Sequence, residues 1–339
     1  GRVTERNFVY DGLSGALHRL ATTLEGLKRK TRDPDLVTEL MNYRDKAMDL
    51  ASAISSFVGL EIPDRVYWVE TGEGGRGRVS LECSPVSVAD DLRRILFGAM
   101  RAVVVTSATL CVGREGSFDF LRSRIGVDEA DELQVGSPFD YRRQVTLHVC
   151  TSMPDPNDEA FVPAAVERIR SFLEQAQGGT FVLFTSYRML KAVSDELVPF
   201  LHERGIKTYV QGTGLPRSQM LEEFRRNVGS VIFGTDSFWQ GVDVPGKALS
   251  TVIITRLPFS VPDHPLTQAR LEAIELRGGN PFTEYTVPEA IIRFKQGFGR
   301  LIRHRNDRGT VVILDSRVLT RYYGKLFLES LPDCEVVRD

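Results

Sequence analysis

"TFVLFTSYRML", residues 180–190, opens on an apolar run of β-formers, passes through Thr185 and Ser186, and enters a helical pattern that continues to about residue 204. An apolar strand followed by an amphipathic helix is half of a βαβ unit. The same texture repeats on both sides of it. Strand-like runs "VTLHVC" (145–150), "KTYVQG" (207–212), "SVIFGT" (230–235), "STVIITRLPF" (250–259) and "GTVVILD" (309–315) alternate with helical patterns near 158–176, 187–204, 216–227, 264–276 and 288–304. This predicts an α/β fold with a mostly parallel sheet and helices on both faces. In such sheets ligands bind beyond the carboxyl ends of the strands, so the residues following each strand are the ones to read for function.

Before residue 145 the pattern differs. Leu13, Leu17, Leu20, Leu24 and Leu27 recur at helical spacing, and after "TRDPD" the period resumes at Leu36, Leu40, Ala47, Leu50, Ile54 and Phe57. Asp33 as N-cap with Pro34 in the first turn marks the restart, predicting an antiparallel helical pair that buries one apolar stripe. "RVYWVE" (65–70) and "GRVSLECSP" (77–85) then read as strands around "TGEGGRG". Gly72, Gly74 and Gly77 match a dinucleotide fingerprint formally, but a strand follows them where a helix is required, so the reading is a hairpin loop. A helical segment at 88–99 precedes a further strand, "AVVVTSATL" (102–110).

Composition bounds the function. The 339 residues suffice for two domains, are 42% hydrophobic and 26% charged, and carry a net charge of −2. No global field draws the chain onto nucleic acid, so phosphate contacts must come from local clusters. No apolar run is long enough to span a bilayer and "GRVTERNFVYDG" lacks a secretory pattern, so the expectation is a cytoplasmic protein with no membrane partner. The four cysteines, Cys83, Cys111, Cys150 and Cys334, and the five histidines are scattered, which argues against a metal or cluster site built from this chain.

Three strand ends carry small or polar residues. Thr106, Ser107, Ala108 and Thr109 follow "AVVV", Thr185, Ser186 and Tyr187 follow "TFVLF", and "TDSFWQGVDVPG" follows "SVIFG". Hydroxyls and unpaired N–H groups at strand-to-helix turns can hold phosphate oxygens; each alone is also an ordinary cap or turn. In the third, Phe238 and Trp239 are placed to lie against a base, or to pack between domains, and Asp243 could accept from a ribose hydroxyl or an arginine, or simply belong to an Asp-x-Pro-Gly turn.

"QGFGRLIRHRNDRG", from Gln296, supplies the cations. On a helical wheel Gln296, Arg300, Arg303 and Arg293 share one sector, and Ile291, Phe294, Phe298, Leu301 and Ile302 the opposite one. Gly297 and Gly299 border the polar sector, each costing a helix about 1 kcal/mol. The expectation is a face that a ligand or another backbone approaches closely. Gln296 to Arg303 rises about 10 Å, the length of a triphosphate, and arginine forks bind phosphate bidentately. Yet there is no G-x-x-x-x-G-K-[ST] and no adjacent acidic pair after a strand. The expectation is that the phosphate cradle lies on a separate part of a larger protein, across a cleft from these arginines.

In order, "VVVTSATL", "GSPFDY", "FVLFTSYRML", "FGTDSFWQGVDVPG", "IITRLPF" and "QGFGRLIRHRNDRGTVVILDSR" resemble the carboxy-terminal half of a DinG-type helicase, of the XPD-like branch of superfamily 2. The resemblance runs from about residue 62 onward. It implies a helical pair ending an arch-like domain (1–60), a remnant of the first motor domain and connector (61–144), and a RecA-like second motor domain (145–339). It implies coupling roles for Thr106, Ser107 and Thr109, DNA contact by Ser186, Tyr187, Thr235, Ser237, Phe238 and Trp239, and a nucleotide-facing set of Gln240, Gly241, Asp243 and Gln296. Arg300 and Arg303 would meet ATP, with Arg303 as the finger. The partners implied are single-stranded DNA, or a duplex with a single-stranded tail, and the first motor domain. ATP and Mg²⁺ would serve the intact enzyme, an iron–sulfur cluster, where present, lying upstream. The chain alone is expected not to hydrolyse ATP. Two other readings stay open: a non-catalytic module that grips single strands, and a doubly wound enzyme of small-molecule metabolism, which leaves the glycine-flanked arginines unexplained.

Overall fold

The computed structural model describes residues 1–72, 79–112, 116–239 and 248–339. They form two compact units, 1–90 with 261–279, and 91–260 with 280–339. Compactness thus groups 261–279 with the first ninety residues.

In the first unit, α1 (Gly12–Lys28) and α2 (Pro34–Gly59) form the expected antiparallel pair. Asp11 accepts the Ser14 N–H at 2.9 Å, Asp33 accepts that of Asp35 at 3.0 Å, and Leu60 in the left-handed region (φ 46°) ends α2. The apolar stripe is only partly used. Ser14 donates to the Ala51 carbonyl at 3.0 Å, and Ala21, Ala47 and Ala51 are buried, whereas Leu13, Leu20, Leu27, Leu36 and Leu50 stay 42–54% exposed. Small side chains let the helices close on one another and leave the leucines outside that contact.

Three antiparallel strands complete this unit, β1 (Arg2–Val3), β2 (Arg65–Thr71) and β3 (Val79–Pro85), in the order β1-β2-β3. β2 and β3 pair as the hairpin reading predicts, with Trp68 opposite Glu82, while Gly74 and Gly77 lie outside the described residues. Strand alternation sends Val66 and Trp68 to one face, where they pack on Ala269 of helix Pro265–Leu276. Tyr67 meets Phe57 edge-on, ring centroids 5.4 Å apart.

The second unit is built on β4 (Val145–Val149), β5 (Gly179–Leu183), β6 (Thr208–Val210), β7 (Val231–Gly234), β8 (Leu249–Ile254), β9 (Gly309–Ile313) and β10 (Glu335–Arg338). Their order is β10-β4-β9-β8-β5-β7-β6, every neighbouring pair parallel. The central strands β5 and β7 are buried throughout and β8 nearly so, as their unbroken apolar runs require. Phe181 and Leu183 enter one core with Phe224 of helix Arg217–Arg226 and Phe294 of helix Val287–Phe298. Val182 and Phe184 enter the other with Ile169 of helix Phe161–Gln175 and Val193 of helix Tyr187–Glu203. This is the α/β architecture the sequence predicts.

Two elements differ from expectation. Residues 102–107 form no strand, and Val104 is 89% exposed. Its apolar alternation has no neighbouring strand to pair with among the described residues. β10 was not anticipated, since "EVVR" is too short and too charged to signal a strand; pairing with β4 creates it.

Candidate nucleic-acid and phosphate-facing site

Parallel topology puts the carboxyl ends of β5, β6, β7, β8 and β9 on one edge. At the end of β5, Ser186 adopts an extended conformation (φ −151°, ψ 146°) and caps helix Tyr187–Glu203, its Oγ accepting the Met189 N–H at 3.3 Å. The next side chain, Tyr187, is 56% exposed. At the end of β7, Thr235 is buried and Ser237 exposed. Gln211, one residue past β6, joins them. Its Oε1 accepts the Thr235 N–H at 2.7 Å and Oγ–H at 3.1 Å, and its Nε2 donates to Tyr187 Oη at 2.5 Å and Ser237 Oγ at 3.2 Å. The sequence reading missed Gln211. Its signal was a polar residue closing an apolar strand and followed by Gly212, whose φ of 94° turns the chain away.

Phe238 and Trp239 require a correction. Both rings are buried, at 0% and 1% exposure, so neither offers a face to a base. Phe238 meets Phe181 edge-on at 6.4 Å, and Trp239 Nε1 donates to the Phe184 carbonyl at 3.0 Å. The helical turn Asp236–Trp239 folds them back under β5. An aromatic beside a glycine in a loop reads as exposed only until the turn that buries it is known.

The arginine segment is also rearranged. Helix Val287–Phe298 ends at Gly299, so Arg300 and Arg303 lie beyond it and do not share a helical face with Gln296. Gly297 is buried, and a Cβ there would stand 2.8 Å from the Trp239 ring. The close approach that the glycine permits is that of an indole. Arg300 Nε donates to the Trp239 and Gln296 carbonyls, both at 3.1 Å. Burial, and after it the like charge of Arg217, lowers the Arg300 guanidinium below its ordinary value. Arg303 is lowered by burial and then by Arg225, with Asp307 opposing. The Asp307 carboxylate accepts the N–H groups of Arg303 (2.9 Å) and His304 (2.8 Å), and Gln144 Nε2 donates to the carbonyls of His304 (3.0 Å) and Asp307 (2.8 Å). Gln144 and Asp307, unremarked in the sequence, therefore hold the turn that carries Arg303.

Thr106 and Ser107 are exposed, and the Ser107 Oγ accepts the Thr109 N–H at 3.3 Å. Two residues past Thr109, the Cys111 carbonyl accepts from Lys295 Nζ at 3.0 Å, tethering this segment to the helix that carries Gln296. Gln296 Oε1 is buried with no hydrogen-bond partner among the described residues. Gln240, Gly241 and Asp243 lie outside the described residues. At the ends of β8 and β9, Asp315 is fully buried and accepts from Leu257 N (2.8 Å), Arg317 N (3.1 Å), Arg317 Nε (2.9 Å) and Arg317 Nη2 (2.6 Å). This pair locks the edge where "IITRLPF" meets "LDSR". Among the described residues no group of three or more His, Cys, Asp or Glu is placed to hold a metal ion, and no helix is long and apolar enough to cross a membrane.

Residues 169–334 match the helicase C-terminal domain family. Solved structures of an XPD helicase and of XPD in its apo form superpose on 95% of the chain, each with a TM-score of 0.58, at 15% and 17% identity and covering 62% and 69% of those chains. The fold is that of an XPD-like helicase, and the matched domain is its carboxy-terminal one. In sequence the chain is similar to proteins of the DinG type. It is 40% identical over 274 residues to the ATP-dependent DNA helicase YoaA of Haemophilus influenzae (80% of this chain, 41% of that protein). It is 38% identical over 292 residues to the ATP-dependent helicase DinG of Mycobacterium tuberculosis (84% and 43%). To the 3'-5' exonuclease DinG of Bacillus subtilis it is 37% identical over 280 residues (80% and 30%). The chain thus spans less than half the length of these relatives.

Proposed function

We propose that this chain is the carboxy-terminal, second-motor portion of an ATP-dependent DNA helicase, acting opposite a first motor domain carried elsewhere in the full-length protein. The observation that carries the reading is the link between the two halves of the site. Ser237 lies in the same helical turn as Trp239, whose carbonyl holds Arg300, so the hydroxyl-bearing edge and the arginine segment are parts of one bonded path. Arg300 and Arg303 are half-buried cations, and cations taken out of water are stabilised by an arriving anion. In this reading the anion is the phosphate chain of ATP bound to the first motor domain.

Arg303 serves as the finger and Arg300 as its neighbour on the phosphates, with Gln296 and the Gln240, Gly241 and Asp243 loop on the nucleotide side. Thr106, Ser107 and Thr109, joined to the Gln296 helix through Cys111 and Lys295, couple the cleft to the track. Tyr187 and Ser237 face single-stranded DNA, with Ser186 and Thr235 behind them. Mg²⁺ and the phosphate cradle belong to the other motor domain. ATP binding draws the motor domains together and hydrolysis parts them, stepping along DNA in the 5'-to-3' direction implied by the resemblance, in the cytoplasm.

The test is Arg303→Ala in the full-length protein, which should lower DNA-stimulated ATP turnover by about 10³–10⁵. The chain alone should show no turnover. DNA-stimulated hydrolysis by the chain that disappears with Arg303→Ala would refute the divided site. Binding of single strands by the full-length protein that no nucleotide alters would favour a non-catalytic gripping module.

A further inference from the structure

Gln211 is bound on every side of its amide, and the bonds have a direction. A backbone N–H can only donate, so the contact with Thr235 N at 2.7 Å fixes the amide oxygen on the β7 side. The NH₂ group then faces outward and spends its two hydrogens on Tyr187 Oη and Ser237 Oγ. The backbone N–H of Gln211 donates to the Phe233 carbonyl at 3.0 Å, extending the β6–β7 ladder by one residue and holding the side chain in place. Each hydroxyl has one hydrogen and two lone pairs. With a lone pair engaged by Gln211, each must direct its own hydrogen elsewhere, and both side chains are exposed.

We infer that Gln211 is a positioning residue that presets Tyr187 and Ser237 as hydrogen-bond donors, making this edge a subsite for an acceptor-only group, the non-bridging oxygens of a phosphodiester. The two hydroxyls share one nitrogen, so they are close enough to meet oxygens of a single phosphate. A base edge, which mixes donors and acceptors, is matched less well, so the subsite reads backbone and not sequence. The inference rests on the reading of this edge as a DNA track.

The experiment is a double-mutant cycle on the chain as it stands, reading affinity for a mixed-sequence single-stranded oligonucleotide by fluorescence anisotropy, with thermal melting as the check on folding. Tyr187→Phe and Ser237→Ala should each weaken binding about 3- to 10-fold, the range of an ordinary single hydrogen bond made at an exposed site. Gln211→Glu keeps the bonds to Thr235 but replaces the NH₂ donor by an acceptor, turning both hydroxyls inward. It should weaken binding at least about 10-fold, and in its background Tyr187→Phe should cost nothing further. A merely repulsive carboxylate would leave the Tyr187→Phe cost intact. Gln211→Met, neutral and unable to hold either hydroxyl, should likewise erase it and serves if Gln211→Glu melts early. A Tyr187→Phe cost that is the same in all three backgrounds overturns the positioning role alone. Failure of the unaltered chain to bind the oligonucleotide overturns the track reading, and this inference with it.

Discussion

Single side chains decide more of this site than its motifs suggest. Gly297 admits the Trp239 ring, so Gly297→Ala should destabilise the second unit by about 1–3 kcal/mol, measured by denaturant unfolding followed through tryptophan fluorescence. Asp315 is the sole acceptor for four bonds in a fully buried position, so Asp315→Ala should cost about 3–5 kcal/mol by the same measurement, because Arg317 is left without its buried partner. Burial pushes the Cys150 thiol up to about 12, and at pH 8 only about one such thiol in 10⁴ is ionised. Alkylation followed by mass spectrometry should find Cys150 protected and the half-buried Cys83 modified. The residue types at the site were legible in the sequence, but their surroundings were not. Spacing placed Arg300 and Arg303 on a helical face because nothing in it marks Gly299 as the end of the helix. It placed Phe238 and Trp239 outside because a four-residue turn leaves no periodic signature.

Elements were legible in proportion to how much of their signal is local. β5, β7 and β9 have apolar runs that need burial on both faces whatever their neighbours, and they form where the pattern puts them. β10 exists only through β4, and the 102–107 segment lacks a strand to pair with, so neither could be read from its own residues. In the helical pair, capping was legible and packing only in part: Ala47 and Phe57 of the apolar stripe are buried, but Ala21 and Ala51 make contacts that leave Leu13, Leu20, Leu27, Leu36 and Leu50 exposed. Three carboxylates in the first unit sit below their ordinary values. Asp11 is held there by hydrogen bonds from Ser14, Glu25 chiefly by Arg44, and Glu272 by Arg2. A lowered folded value means that this stabilisation is complete above the ordinary carboxylate range and fades as pH falls through the folded one. Helicity followed by circular dichroism during acid titration should therefore begin to drop below about pH 4, and Arg44→Met should reduce the Glu25 contribution, leaving that of Lys28 and Arg29.

For the whole molecule, the stretch from 128 to 138 is exposed throughout and has no regular structure, with Leu133 at 80% and Val135 at 76% exposure. Limited digestion with a protease of broad specificity should cut there first, leaving the seven-stranded sheet intact on a gel. On the function proposed above, protection of 128–138 in the full-length protein would mark it as covered by the first motor domain. The strand order also governs how the sheet is assembled during synthesis. β4 is flanked by β9 and β10, so the strand that begins the sheet in sequence emerges from the ribosome about 160 residues ahead of its first hydrogen-bonding neighbour. Until then the inward-facing Val145, Leu147 and Val149 have no sheet edge to join, and an unpaired apolar strand of this kind is a point at which the nascent chain is open to aggregation.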